Sequence, residues 1–166
     1  MSKFPLYSQH LDVSDKDWQN RACGIVALKT LLDYLDVKST GIDSLIKEGL
    51  EIGAYQDGVG WIHKGIVDLA NMYGAQLQAY DWSSDTNEDA YKKLLESLGN
   101  GPLLISMYKD FNPNQSGHLA VLINIGEDNS LEILDPDSKE RSHIRRRVSK
   151  EMFLRGWKKR AIVPTK

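Results

Sequence analysis

Cys23 is the only cysteine in the chain. With one thiol there is no intrachain disulfide, and a zinc site made of several thiolates is excluded. The histidines show no paired spacing that would add ligands, so no metal and no cofactor is expected. Long apolar runs are missing too. Nothing approaches the ~20 residues that a membrane helix needs, so no membrane association is expected. Met1 to Gln9 has one charged residue and no apolar stretch, unlike a signal peptide. A free thiol suits a reducing compartment, and these absences together predict a cytoplasmic protein. A basic excess is also absent: the net charge is -2, so a nucleic-acid partner is not expected for the molecule as a whole. The glycine-rich stretch Asp57-Gly58-Val59-Gly60 is not followed by Gly-Lys-Ser/Thr, which excludes a phosphate-binding loop of that type.

What is present fits one domain over residues 1–166 with a real core: 41% of the residues are apolar and 27% charged. Phe4 to Ser8 reads as an extended opening and 10–19 as a polar loop. From Cys23 onward, Ile25, Leu28, Leu31, Leu32 and Leu35 form one helical stripe. Further helices are expected over 42–50, from Ile62 to a stop at Gly74, over 88–98 and over 148–156. Strands are expected over 75–82, 103–108, 118–125, 131–134 and 160–163. Glu127-Asp128-Asn129 makes a turn, so 118–125 and 131–134 form an antiparallel hairpin. Helices first and a mostly antiparallel sheet afterwards is an α+β plan, with a cleft where the two halves meet.

Cys23 starts the strongest helix. Unpaired N–H groups and the helix dipole favour a thiolate there, and Gly24 leaves room for a substrate backbone to approach. Taken alone, an unpaired cysteine is more often just a small buried apolar residue. A thiolate needs a base within hydrogen-bond reach. His10 lies in a polar loop and His63 in the first turn of a helix. His143 stands among Lys139, Arg141, Arg145, Arg146 and Arg147, a poor setting for a group that must become cationic. His118 is different: it opens the run Leu119–Ile123 at a loop-to-strand boundary, where a side chain is held at the rim of a rigid sheet. Asp135 ends the paired strand and Pro136 stops the ladder. A turn at 127–129 sets 119–121 opposite 133–135, which brings Asp135 beside His118. The plain alternatives are a strand-end histidine bonded to a carbonyl and an Asp-Pro turn. An oxyanion needs donors: the backbone N–H of Cys23 is one, and Gln9 or Gln19 is the other.

Several segments resemble one family. Tyr7-Ser8-Gln9, Trp18 and Cys23-Gly24-Ile25-Val26-Ala27-Leu28 are similar to the opening of the bacteriocin-processing, or double-glycine-leader, cysteine peptidases of the papain-like superfamily. Gly117-His118-Leu119-Ala120-Val121-Leu122 and Leu134-Asp135-Pro136 resemble their histidine and aspartate blocks. Leu69–Gly74, Gly101–Ile105, Phe153 and Trp157 match middle and closing segments, so the likeness runs from Phe4 to Val163. Ala22 stands where the family often has an acidic residue. The resemblance implies a papain-like fold and thiol-dependent cleavage of a peptide or protein substrate through an acyl-enzyme. In it Cys23, His118 and Asp135 take the three triad roles and Gln9 the oxyanion role, with Gln19 as second choice. Two other readings use the same scaffold: an inactive peptide-binding or regulatory module, and amine transfer of transglutaminase type. Finally, residues 139–160 hold ten of the 21 basic residues and two acids, Glu140 and Glu151. Such a run is usually a solvated face, and otherwise a patch that docks an acidic partner.

Overall fold

The computed structural model describes residues 4–165. Its first helix, α1 (Cys23–Tyr34), buries Ile25, Val26, Ala27, Leu28, Leu31 and Leu32. A helix apolar on most of its circumference belongs in the interior. Its charged pair, Lys29 and Asp33, meets at i,i+4 with 2.9 Å between nitrogen and oxygen. Then follow α2 (Ile42–Glu51), the two-residue strands β1 (Tyr55–Gln56) and β2 (Gly60–Trp61), and α3 (His63–Asn71). Gly74 takes φ of +86° in the turn after α3, the left-handed conformation that a glycine tolerates without strain. The remaining elements are β3 (Leu77–Asp81), α4 (Asn87–Leu98), β4 (Leu103–Tyr108), β5 (Gly117–Ile125), β6 (Leu131–Leu134), β7 (Arg145–Val148), α5 (Lys150–Gly156) and β8 (Trp157–Pro164). Thr86 caps α4 by accepting the Asp89 N–H at 3.1 Å, and Ser149 caps α5 by accepting the Met152 N–H at 3.1 Å.

Six strands form one antiparallel sheet in the order β3-β8-β4-β5-β6-β7. Alternation along the strands feeds two apolar clusters. Leu104, Leu119, Val121, Leu134 and Ile162 join the side chains of α1, α2 and α3. Leu103, Ile105, Met107, Ala120, Leu122 and Ile133 join those of α4 and α5. The fold is α+β, as expected, with helices on both faces of the sheet. The β5–β6 hairpin pairs Val121 with Leu134 and Ile125 with Leu131, with a bulge between Leu122 and Asn124. Among the described residues no helix is long and apolar enough to cross a membrane.

Two elements differ from expectation. Residues 55–61, where no strand was expected, form the small β1–β2 hairpin. The basic run around Arg145-Arg146-Arg147 is strand β7 at the sheet edge, paired to β6. Long cations suit an edge, because their stems cover apolar surface while their heads stay in water. The run is not a free tail: Arg141 bonds Asp12 at 2.9 Å, and Arg145 bonds Glu132 at 2.7 Å.

The close approach of α5 to the segment after β4 rests on Gly156. A Cβ there would lie 2.2 Å from Phe111 Cα, which is backbone and cannot rotate aside. Gly156→Ala is therefore expected to lower stability by about 2–3 kcal/mol, read from the urea midpoint. An unchanged midpoint would show that Phe111 and α5 separate at little cost.

Candidate active site

Cys23 is the first residue of α1, and its N-cap, Ala22, offers no side-chain acceptor to the first-turn N–H groups. The Gly24 and Leu119 N–H groups lie by the sulfur instead and favour its anion. The thiol is half-buried and lines a cleft of about 650 Å³ together with Gln9, Trp61, His63 and His118. His118 enters as the second residue of β5, and Asp135 follows directly on β6. His118 Nε2 lies 2.7 Å from Asp135 Oδ1, with side-chain exposures of 5% and 7%. His118 also stands beside the Cys23 thiol, near enough for the two to shift each other's pKa. Since Nε2 is committed to the carboxylate, Nδ1 is the ring nitrogen that serves the sulfur. Asp135 Oδ1 accepts the Asp137 N–H at 3.0 Å, and Oδ2 is 3.4 Å from Arg146 Nη1.

These contacts set the charges. Burial pushes the Cys23 thiol up, but the His118 cation, its hydrogen bond and the two backbone N–H groups outweigh that and hold it below its ordinary value. Burial pushes His118 down, while the Cys23 thiolate and Asp135 lift it to about 10. Burial raises Asp135, and His118, the Asp137 N–H and Arg146 pull it below the usual carboxylate range. The three shifts act together: the charged forms of Cys23, His118 and Asp135 favour one another.

The two candidate glutamines separate cleanly. Gln9 is buried in the cleft wall; its Nε2 donates to the Gln19 carbonyl at 2.9 Å, which leaves the second N–H uncommitted. Its Oε1 is buried and has no hydrogen-bond partner among the described residues. Gln19 turns its own amide to the Val13 carbonyl at 2.9 Å and does not line the cleft. The other histidines lie off the row. His10 Nε2 bonds Asp137 Oδ1 at 2.8 Å, and exposed His143 bonds Glu140 at 2.7 Å. His63 faces the cleft, with its pKa lowered by burial and by Arg160 and Lys158. Among the described residues no group of three or more His, Cys, Asp or Glu could hold a metal ion.

Gly24 needs a correction. Its missing side chain makes room for Trp61 rather than for a substrate backbone: a Cβ there would sit 2.9 Å from Trp61 Cβ and Cγ. A Cβ on Gly49 would meet the far edge of the same ring at 2.8 Å. Trp61 Nε1 donates to the Arg21 carbonyl at 2.7 Å, so the indole clamps the turn that leads into Cys23. Trp61, which the sequence offered after a glycine-rich stretch as a candidate border of the cleft, does line it. Arg146 and the Asp137 N–H were not singled out from sequence; they depend on β7 and on the turn after Pro136.

Cys23 and His118 thus line one cleft of an α+β fold, with Asp135 bonded to the histidine, and these are residue types that nucleophilic thiol chemistry uses. The chain belongs to the Peptidase_C39-like family, whose profile matches residues 1–163. Among solved structures it is similar to a double glycine motif protease from an AMS/PCAT transporter in complex with the leader peptide. That match has a TM-score of 0.61 and 17% identity, covering 98% of this chain and 93% of that one. The peptidase domain of Streptococcus mutans ComA gives a TM-score of 0.53 at 21% identity, covering 93% of this chain and 98% of that one. Its complex with a small-molecule inhibitor gives 0.56 at 21% identity, with 93% and 98% covered. At these identities the likeness is one of fold. No curated protein matches the chain.

The charge assignment has a direct readout. Thiolate absorbance of the folded protein is expected to titrate below the ~8.5 of a free cysteine. In His118→Ala, burial is left unopposed by the imidazolium, and the midpoint should move above that value. Superimposable thiol titrations would contradict the ion pair.

Proposed function

We propose that the chain is a cysteine peptidase, a single catalytic domain that cleaves a peptide or amide bond through an acyl-enzyme. The observation that carries this reading is His118, bonded to Asp135 at 2.7 Å and set beside the Cys23 thiol in the same cleft. In this reading the Cys23 thiolate attacks the carbonyl carbon. Negative charge collects on the carbonyl oxygen, where the Cys23 backbone N–H and the free N–H of Gln9 receive it. The His118 imidazolium gives its Nδ1 proton to the departing amine, leaving a thioester on Cys23. Neutral His118 then takes a proton from water, the hydroxide attacks the thioester, and the acid and the thiolate are released. Asp135 keeps the ring in register and offsets its positive charge in both halves.

Family membership supports a peptidase, and the neighbour solved with a leader peptide supports a peptide as substrate. A lone thiol, poised as an anion, suits a reducing compartment such as the cytoplasm.

Two experiments test the assignment. Cys23→Ala is expected to abolish both hydrolysis of peptide substrates and labelling by peptidyl electrophiles, while circular dichroism stays unchanged; equal turnover in that variant would refute the reading. Gln9→Ala should lower kcat by about 10²–10³-fold, the usual effect of removing one oxyanion donor. Gln19→Ala should change it far less, because it is the backbone carbonyl of Gln19 that holds Gln9. Comparable losses in the two variants would remove Gln9 from the oxyanion role.

A further inference from the structure

Strand β8 is irregular where it passes the cleft. Ser106 of β4 pairs with Arg160, but the next residue, Met107, pairs with Trp157, so Lys158 and Lys159 are extra on β8. Lys159 takes φ of +58°, a left-handed conformation that a non-glycine residue adopts only when its surroundings enforce it. The surroundings do so. The Lys159 carbonyl accepts the Trp82 N–H at 2.8 Å, Lys159 Nζ donates to the Asp85 carbonyl at 2.8 Å, and Trp157 Nε1 donates to the Arg160 carbonyl at 3.1 Å. Bulges of this kind re-aim a side chain and are frequent beside active sites. Here the side chain delivered to the cleft is Lys158.

Lys158 Nζ stands 5.2 Å from the centre of the Tyr108 ring. A Cβ on Gly117 would lie 3.3 Å from that nitrogen, so the ammonium sits against the residue that precedes His118. The other lysine and arginines of the cleft each have a carboxylate: Arg160 with Asp81 at 3.3 Å, Lys109 with Asp137 at 3.0 Å, Arg21 with Asp57 at 4.0 Å. Among the described residues Lys158 has none. Burial and the charge of Arg160 push its pKa down, and Lys158 and Arg160 in turn lower that of His63. Asp81 and Asp137 offset the other cations of this wall, so the Lys158 charge is the one that no carboxylate pairs among the described residues, beside the residue that precedes His118.

We propose that Lys158 is a specificity-determining residue that receives a carboxylate of the peptide substrate close to the bond that is cut. The inference rests on the cysteine peptidase reading and adds to it the charge of the substrate. An ammonium already partly desolvated and facing no anion gains from an incoming carboxylate, whereas a basic or neutral group there leaves it unpaired.

The test uses Cys23 itself as reporter. The folded protein is treated with two methanethiosulfonate reagents of equal reach, one ending in a sulfonate and one in a trimethylammonium group. The ratio of their rates cancels any change in the thiolate fraction. Lys158→Met is expected to reduce the anion-to-cation ratio by about fivefold or more at low ionic strength, with the effect shrinking in high salt. Lys158→Arg, which keeps the charge, should preserve the ratio and serves as a check on folding. A ratio unchanged in Lys158→Met, with fast modification of the wild type, overturns the proposal and leaves the peptidase reading intact. Slow modification by both reagents, with the pH profile of an ordinary thiol, overturns the peptidase reading and the proposal with it. Cleavage of a proteome-derived peptide library then identifies the source of the carboxylate. Asp or Glu enriched within two residues of the cut indicates a side chain, and cuts confined to the last residues of each peptide indicate a free C-terminus. Cleavage with neither pattern rejects the proposal.

Discussion

The His118 imidazole is held between a sulfur and a carboxylate with almost no contact with water, and the rest of the site depends on that placement. A buried cation is costly unless it is paired on the sides from which solvent has been removed. Here each neighbour needs the other two. Without the imidazolium, burial would keep the Cys23 sulfur protonated; without the carboxylate, the imidazolium would lose its partner at Nε2. The proposed chemistry and the local stability are thus one electrostatic arrangement. Asp135 is not left to a single contact: the Asp137 N–H and Arg146 share its two oxygens.

Much of the architecture outside the row holds its members still. The chain's early segment is strapped onto the turn that follows β6. The Gln9 N–H donates to the Pro136 carbonyl at 2.8 Å, Ser8 Oγ to the Ser138 carbonyl at 2.5 Å, and Arg141 Nη1 to the Leu6 carbonyl at 2.6 Å. His10 and Lys109 grip the two oxygens of Asp137 from opposite sides. The strap that delivers Gln9 to the cleft therefore also immobilises the turn carrying Asp135. On the other side, Trp61 fills the space between Gly24 and Gly49 and ties the approach to Cys23. Sites built this way hold their geometry because supporting contacts lock the rotamers.

Some of this was legible in the residue order. The α1 stripe, the turn at 127–129 and the break at Pro136 were enough to set Cys23 at a helix start and to bring His118 near Asp135, because helical period, pairing register and proline chemistry are local rules. Spacing alone left the choice between Gln9 and Gln19 open, and only the family resemblance put Gln9 first. The choice depends on which amide faces the cleft, and that is decided by contacts with residues more than a hundred positions away. The basic stretch was readable only as a surface. Its division into an edge strand, a contact to Asp135 and a cleft lysine follows from pairing with β6 and from the bulge against β4.

What the sequence determined by itself, then, is the chain positions of the candidate groups: one thiol at a helix start, one histidine and one aspartate at matching ends of a hairpin. The tertiary structure decided how those groups pair, which glutamine faces the cleft and which charges line its wall. Local patterns fix where a side chain leaves the backbone. Its charge and its partners depend on which distant segments remove the water around it, and only the packed chain specifies that.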